Sequence, residues 1–406
     1  MLKKTIFTFS LLISFVVQAE NNRFAPRDAD LYLATKFLKT TYEQQKDNFV
    51  VSPLSVYAAT TLLANGATGK SFYELEENIL DPNEEYGRVF ALDGKNRTDS
   101  ENASINHINK TLQSYINSKT QFEINNSIWG NDFRPDYIET VKTQLNAEVN
   151  PLPDHTSVIN NWVKEKTKNR IQKILQEQET SPDQLCLVNT VYFKNEWIKP
   201  FNARQTTVQD FHSLDGQVDQ VNMMSRKAFL NYYEDDKMQS IQLPYKNKDV
   251  LHIFLPKEGV NFDDFIQKLT VNDLYLQYHP VPVHLKLPKV KSDSYVPMVD
   301  YFKKWQIQTI FDGKQASLYM LSDKPKMVTD IIHKANIDID EKGTEASAAT
   351  IIMLGDSALR YGYDPLNPKE WYIPFFADRP FVFMINNGDF IGVYTKGKMV
   401  DKQQAH

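Results

Sequence analysis

Few residues of this 406-residue chain have the type and spacing for covalent chemistry. The lone cysteine, Cys186, lies in the apolar run Leu185-Cys186-Leu187-Val188. A thiol there is a small buried hydrophobe, because no neighbouring group would lower its pKa. One cysteine allows neither an internal disulfide nor a cysteine-rich zinc site. No Gly-x-Ser-x-Gly, His-Glu-x-x-His or phosphate loop occurs, so a hydrolase has no support. No metal and no cofactor is expected. The unusual segment is Glu341-Lys342-Gly343-Thr344-Glu345-Ala346-Ser347-Ala348-Ala349-Thr350-Ile351-Ile352-Met353-Leu354-Gly355. As extended chain it sends alternate residues to opposite faces. One face carries Thr344, Ala346, Ala348, Thr350, Ile352 and Leu354, all uncharged and the first three small. The other carries Glu345, Ser347, Ala349, Ile351 and Met353. Such a segment could enter the middle of a sheet, since a buried charge is what would block it. The alternation fails at Asp356, on the inward side, so insertion should stop near that residue. By pattern alone, a solvated loop of small residues fits as well.

The elements that must hold this segment follow from periodicity. Ala29 to Thr41 carries Leu31, Leu33, Ala34, Phe37 and Leu38 at helical spacing. Ser52-Pro53 opens a second helix, with Ser52 as N-cap and Pro53 in the first turn. A third runs through Phe72 to Leu80 and ends at Asp81-Pro82. Later segments read as strands: Phe122–Trp129, Leu251–Leu255, Val283–Leu287, and the pair Phe381–Ile385 and Phe390–Tyr394 around the turn Asn386-Asn387-Gly388-Asp389. Leu185 to Phe193 is a continuous apolar run, as expected of a central strand buried on both faces. Helices first and strands later predict one large α+β domain.

The N-terminus reads as a secretory signal. Lys3 and Lys4 precede an apolar stretch from Thr5 to Val17, and Val17-Gln18-Ala19 offers a cleavage site after Ala19. Residues 1–19 are therefore expected to be removed, leaving a domain over 20–406. The apolar stretch is short for a bilayer span, and no second one is long enough, so no membrane partner is expected. A net charge of −5 disfavours non-specific nucleic-acid binding.

Four stretches together resemble the serpin family, over nearly the whole mature length. They are Asn48-Phe49-Val50-Val51-Ser52-Pro53-Leu54-Ser55-Val56, Leu187 to Trp197, His333-Lys334-Ala335 followed by Glu341-Lys342-Gly343-Thr344-Glu345-Ala346, and Ala377-Asp378-Arg379-Pro380-Phe381. They occur in family order, which is far more specific than one short motif. One departure is Asn195, where the family usually has Gly. The resemblance implies a single α+β domain with about nine helices, three β-sheets including a large five-stranded sheet A, and an exposed reactive loop over about 341–376.

The resemblance also implies an activity. A target protease would cleave the loop, form an acyl-enzyme and be trapped when the freed segment inserts into sheet A. The insertion hinge would be Gly343, Thr344, Glu345, Ala346, Ser347, Ala348, Ala349 and Thr350. Ser52, Ser55, Asn189 and His333 would form the shutter under the sheet centre. Trp197, Lys289 and Glu341 would form the breach at its top, with Lys289 and Glu341 paired as an exposed couple worth about 0–1 kcal/mol. Family spacing places the cleaved bond between Ser357 and Ala358, which suits elastase- or subtilisin-like proteases. Asp356 and Arg360 are rival cut positions, suiting Asp-specific and trypsin-like enzymes. The expected partner is a serine protease in covalent complex, with cysteine proteases as an extension. The molecule is expected to be a secreted monomer, extracellular or periplasmic if bacterial. The alternative is a non-inhibitory serpin acting as a carrier or chaperone. Heparin binding is not expected, because Ile105 to Thr120 offers only His107, Lys110 and Lys119. Between Glu341 and Pro380 the chain is longer than the common template by roughly ten residues. The excess is expected within Leu359 to Phe376, where Tyr361, Tyr363 and Trp371 would suit an exosite. Sequons begin at Asn96, Asn102, Asn109 and Asn125.

Overall fold

The helix after Ser52 starts where the sequence says it must. Ser52 is extended at φ −117°, its side chain accepts from the Ser55 amide, and Pro53 occupies the first turn. In this computed structural model residues 26–82, 95–118, 122–167, 173–182, 184–344 and 372–399 are described. The signal segment 1–19 lies outside them. Among the described residues there are nine α-helices: α1 (Pro26–Gln44), α2 (Pro53–Gly66), α3 (Gly69–Leu75), α4 (Asp99–Ser118), α5 (Pro135–Gln144), α6 (Ser157–Lys166), α7 (Phe262–Lys268), α8 (Val271–Leu274) and α9 (Met298–Lys304). A π-helical turn over Glu76–Leu80 continues α3, so the single helix expected from Phe72 to Leu80 changes pitch midway.

The strands are β1 (Phe49–Val51), β2 (Phe122–Gly130), β3 (Glu148–Pro151), β4 (Gln184–Phe193), β5 (Asn195–Glu196), β6 (Thr207–His212), β7 (Val218–Glu234), β8 (Met238–Pro244), β9 (Val250–Pro256), β10 (His279–Pro288), β11 (Val290–Pro297), β12 (Met327–Ile339), β13 (Gly343–Thr344), β14 (Ile373–Phe376), β15 (Phe381–Ile385) and β16 (Phe390–Tyr394). They form two hydrogen-bonded networks. The first is the five-stranded sheet β3-β2-β4-β12-β11, with the short β13 and β5 added at one end. At its centre β4 and β12 run parallel, while β2 and β11 flank them antiparallel. Every residue of β4 after Gln184 is buried, which explains its unbroken apolar run.

The second network has nine strands and contains the other two expected sheets, fused through the 17-residue β7. Its first residues pair with β6, its middle with β10 and its last four with β8. The hairpin β15–β16 turns over Asn386–Asp389, with Asn386 at φ 52° and Gly388 at φ 105°. A Cβ on Gly388 would also lie 2.8 Å from the Ala34 Cβ, so glycine is required there twice over.

Three apolar clusters hold the layers. One packs α1 and α2 against the underside of the five-stranded sheet through Phe37, Leu62, Leu187 and Ile331. A second joins the two networks through Phe193, Ile241, Ile253 and Ile337. A small one lies beneath α6 around Trp129, Ile159, Val163 and Cys186. Burial there pushes the Cys186 thiol pKa well up, consistent with an inert packing residue. Among the described residues no helix is long and apolar enough to cross a membrane, and no group of His, Cys, Asp and Glu could hold a metal.

Candidate functional site

The insertable segment begins where β12 ends, and a turn at Asp340 reverses the chain. The Asp340 carboxylate accepts from the Lys342 amide at 2.7 Å and the Gly343 amide at 3.2 Å. The Asp340 amide donates to the Gly343 carbonyl at 2.9 Å. Gly343–Thr344 then runs back as β13. On one side Thr344 lies opposite Ile339 of β12; on the other, Gly343 and Thr344 lie opposite Glu196 and Asn195 of β5. The first two hinge residues are thus already strands of the sheet. A Cβ on Gly343 would sit 2.1 Å from the Asn195 carbonyl oxygen, so only glycine fits. Thr344 is fully buried, and its hydroxyl lies 2.6 Å from that of Tyr245.

The breach residues surround this turn. Trp197 stacks on Tyr245 with ring centroids 4.3 Å apart and donates from Nε1 to the Asp340 carbonyl at 2.9 Å. Its amide donates to Lys342, and that of Phe201 to Glu341. Lys289 Nζ meets Glu341 Oε2 at 2.7 Å. The pair is not exposed as expected from sequence: the side chains are only 15% and 11% accessible, because the turn folds down between β12 and the segment before β6. Thr206 donates to the other Glu341 oxygen at 2.7 Å. Burial pushes the Glu341 carboxyl pKa up, but the hydrogen bonds from Lys289 and Thr206 outweigh it and hold it below the ordinary range.

Asn195 has a partner set of its own. Its side chain is buried and donates to Asn247 and, at 3.3 Å, to Asp249. Asp249 also accepts from Asn386 at 2.9 Å, and Asn386 donates to Asp389. A glycine at 195 would leave these groups one donor short.

Beneath the sheet centre Ser52, Ser55, Asn189 and His333 come together. His333 Nε2 accepts from the Ser52 amide at 3.0 Å, so Nδ1 carries the proton and donates to Asn189 Oδ1 at 2.9 Å. Ser55 Oγ donates to the same oxygen at 2.5 Å, and Asn189 Nδ2 donates to the Ser55 carbonyl at 3.0 Å. Burial drives the His333 pKa down to about 3, so the ring is neutral. Two members were not singled out from sequence. Asn126 accepts from Asn189 Nδ2 at 2.5 Å, from the facing position on β2. The Asp389 carbonyl accepts from Ser52 Oγ at 2.6 Å. Asn126 left a signal in the sequence, a polar residue on the strand face that otherwise carries Phe122, Ile124 and Ile128. The Asp389 carbonyl left none.

The remaining hinge residues, Glu345, Ala346, Ser347, Ala348, Ala349 and Thr350, lie outside the described residues. So do Asp356, Ser357, Ala358 and Arg360. The expected excursion to Phe376 is too long at its far end, because Ile373–Phe376 is β14, paired in parallel with Val283–Lys286. Tyr372 is exposed, with Lys227 Nζ 5.3 Å from its ring centroid. Asn96 and Asn102 are exposed, whereas Asn109 is buried and donates to Asn65, which closes that sequon. On α4 His107 and Lys110 are exposed; Lys119 lies outside the described residues.

A five-stranded sheet with a parallel central pair, a buried neutral histidine beneath it and the short strand Gly343–Thr344 docked at its top is the arrangement the serpin resemblance implies. The family model described as Serpin (serine protease inhibitor) matches residues 29–401, and the chain belongs to that family. Among curated relatives, an uncharacterized serpin-like protein of Methanosarcina acetivorans is 28% identical, covering 91% of this chain and 84% of its own. The leukocyte elastase inhibitor of Xenopus laevis is 27% identical, covering 86% and 92%. Among solved structures, the thermophilic serpin tengpin in its native state matches with a TM-score of 0.74 at 24% identity, covering 92% and 95%. Human thyroxine-binding globulin, solved as a thyroxine complex, matches at 0.73 and 22%, covering 92% and 98%. The family is one of protease inhibitors rather than enzymes, and it also contains binding proteins such as the last.

Proposed function

We propose that this protein is a secreted suicide-substrate inhibitor of serine proteases. In this reading the protease attacks the Ser357–Ala358 bond, and the segment from Glu345 onward follows Thr344 into the gap between β4 and β12. The observation that carries the reading is the docking of Gly343–Thr344: the first inward residue of the run is already buried in register against Ile339. The small, uncharged inward positions Ala346, Ala348 and Thr350 can follow without burying a charge. The leukocyte elastase inhibitors among the relatives add support for an elastase-like target. Reactive-loop docking at the sheet top, with Trp197, Lys289 and Glu341 around the turn, would set how readily insertion begins.

The test is incubation with elastase-like, subtilisin-like, trypsin-like and Asp-specific proteases. An SDS-stable complex with release of a peptide beginning at Ala358 is the expected result. Cleavage by all four without a complex would favour a non-inhibitory binding serpin.

A further inference from the structure

The end of the five-stranded sheet opposite the breach is tied by a buried charge. Lys326, one residue before β12, has a side chain only 1% exposed. Its Nζ donates to Asp132 Oδ2 and to the Pro182 carbonyl, both at 3.3 Å. Asp132 follows β2 and Pro182 precedes β4, so a cation carried on the β12 side is held by two groups on the β2–β4 side. The parallel ladder between β4 and β12 begins with Met327 opposite Gln184, and the tie lies just outside that first pair.

Three further contacts cross at the same place. Asp132 accepts from Lys324 at 2.8 Å. The Arg134 amide donates to the Leu321 carbonyl at 2.8 Å, and Arg134 Nη1 meets Asp323 at 3.1 Å. Each joins the chain that follows β2 to the segment that leads into β12. Asp132 sits at φ 60°, a region that residues other than glycine seldom occupy, and from there its one carboxylate serves two lysines. The contacts differ in weight. Asp323 is 84% exposed, so its pair with Arg134 contributes little. Lys326 is sealed, and removing one partner from a buried ion pair is strongly destabilising.

We infer that Lys326, Asp132 and the Pro182 carbonyl form a clasp that holds β4 and β12 together at the base of the sheet, and that releasing it is a separate step in parting these strands. The use of the clasp rests on the inhibitory reading above. A strand entering at the breach must part β4 from β12 along their length, and the clasp is the contact farthest from the entry. Neighbouring strands lie about 4.8 Å apart, so an added strand would carry Lys326 out of hydrogen-bond reach of both partners. The sheet is then held at three levels: by Glu341 and Lys289 at the top, by His333 and Asn189 at the centre, and by Lys326 and Asp132 at the base.

The test is amide hydrogen exchange, read by mass spectrometry on the full chain, for wild type, Asp132→Asn, Lys326→Met, the double variant and Asp323→Asn. Exchange at the base of β4 and β12, over Gln184–Leu187 and Met327–Ile331, is expected to rise about tenfold or more in Asp132→Asn and Lys326→Met, with β8 and β9 unchanged. The half-life of the native monomer at a fixed elevated temperature should shorten in the same variants. The double variant should not exceed Asp132→Asn, because both changes break one contact. Asp323→Asn, on the exposed pair, should match wild type. Asp132→Asn alone carries the test if Lys326→Met does not fold. Exchange at the base that stays at the wild-type level, or rises equally in β8 and β9, overturns the clasp. Incubation of the wild type with a subtilisin-type protease runs alongside: absence of an SDS-stable complex overturns the inhibitory reading, and the exchange pattern still decides the clasp.

Discussion

The hydroxyls of Thr344 and Tyr245 lie 2.6 Å apart with both side chains sealed from solvent, and this contact ties the short strand β13 to the core below it. Replacing Thr344 with Arg would bury a guanidinium without a counter-ion. Thr344→Arg is expected to be cleaved without forming an SDS-stable complex. Tyr245→Phe is milder: it leaves the Thr344 hydroxyl unsatisfied at a cost of about 1–3 kcal/mol. Proteolysis of the loop should then speed up about fivefold or more. An unchanged proteolysis rate would show that the contact does not hold the hinge.

Gly343 is constrained by a neighbour rather than by its dihedral angles. With a Cβ 2.1 Å from the Asn195 carbonyl, Gly343→Ala cannot keep β13 between β12 and β5. Loss of the docked hinge should expose Trp197 Nε1 and its Asp340 partner to water. The readout is a red shift in tryptophan emission together with faster loop cleavage. A spectrum identical to wild type would count against the docked position.

Lys289 and Glu341 form a mostly buried pair, and breaking one side of such a pair is costly. Glu341→Lys places two ammonium groups together, with an expected loss of about 3–5 kcal/mol and faster polymerisation on heating. Glu341→Gln keeps an oxygen acceptor for one of the two donors and adds no like charge beside Lys289, so it should lose less. The folded-state pKa of Glu341 is depressed, so its contribution is present above the unfolded value near 4.3 and disappears as pH falls through the folded one. If Glu341→Lys alters neither thermal polymerisation nor secretion, the pair does not gate the sheet.

His333 gives the sheet a second, separate acid sensitivity. Its folded pKa of about 3 lies below the unfolded value near 6.5, so the folded state binds fewer protons between those limits. Stability from this residue is complete above about pH 6.5 and declines by up to about 1.4 kcal/mol per pH unit below it. Protonation also turns Nε2 into a donor and strands the Ser52 amide. His333→Gln should be less stable at pH 7 and flatter than wild type between pH 6 and 4, measured by urea unfolding at each pH. Parallel curves would remove His333 from the acid response.

Much of the scaffold was legible because local signals agreed with the final packing. Ser52-Pro53 announced α2, the unbroken run through Phe193 announced the central strand, and Asn386-Asn387-Gly388-Asp389 announced its hairpin. Four family-like stretches supplied the arrangement that local patterns cannot, since β4 and β12 pair across more than a hundred residues. Three things stayed hidden. The burial of the Lys289–Glu341 pair depends on a turn closing over it. The partners of Asn195, Asn247 and Asp249, come from the distant turn between β8 and β9. Lys326 looked like an ordinary lysine in Asp323-Lys324-Pro325-Lys326 until the strand ends placed it under the sheet.

The parallel pairing of β4 with β12 has a consequence in time. Parallel strands bond through slanted, slightly weaker contacts, and a strand running against both would replace them with the perpendicular kind. On the proposed inhibitory reading, the folded chain therefore has a better-bonded arrangement within reach of its own sequence. The closed form would then be preserved by the height of the barrier to opening, and its shelf life would be a matter of rate. Substitutions at the locks should be ranked by half-life at a fixed temperature, and a midpoint measured at one scan rate would order them wrongly.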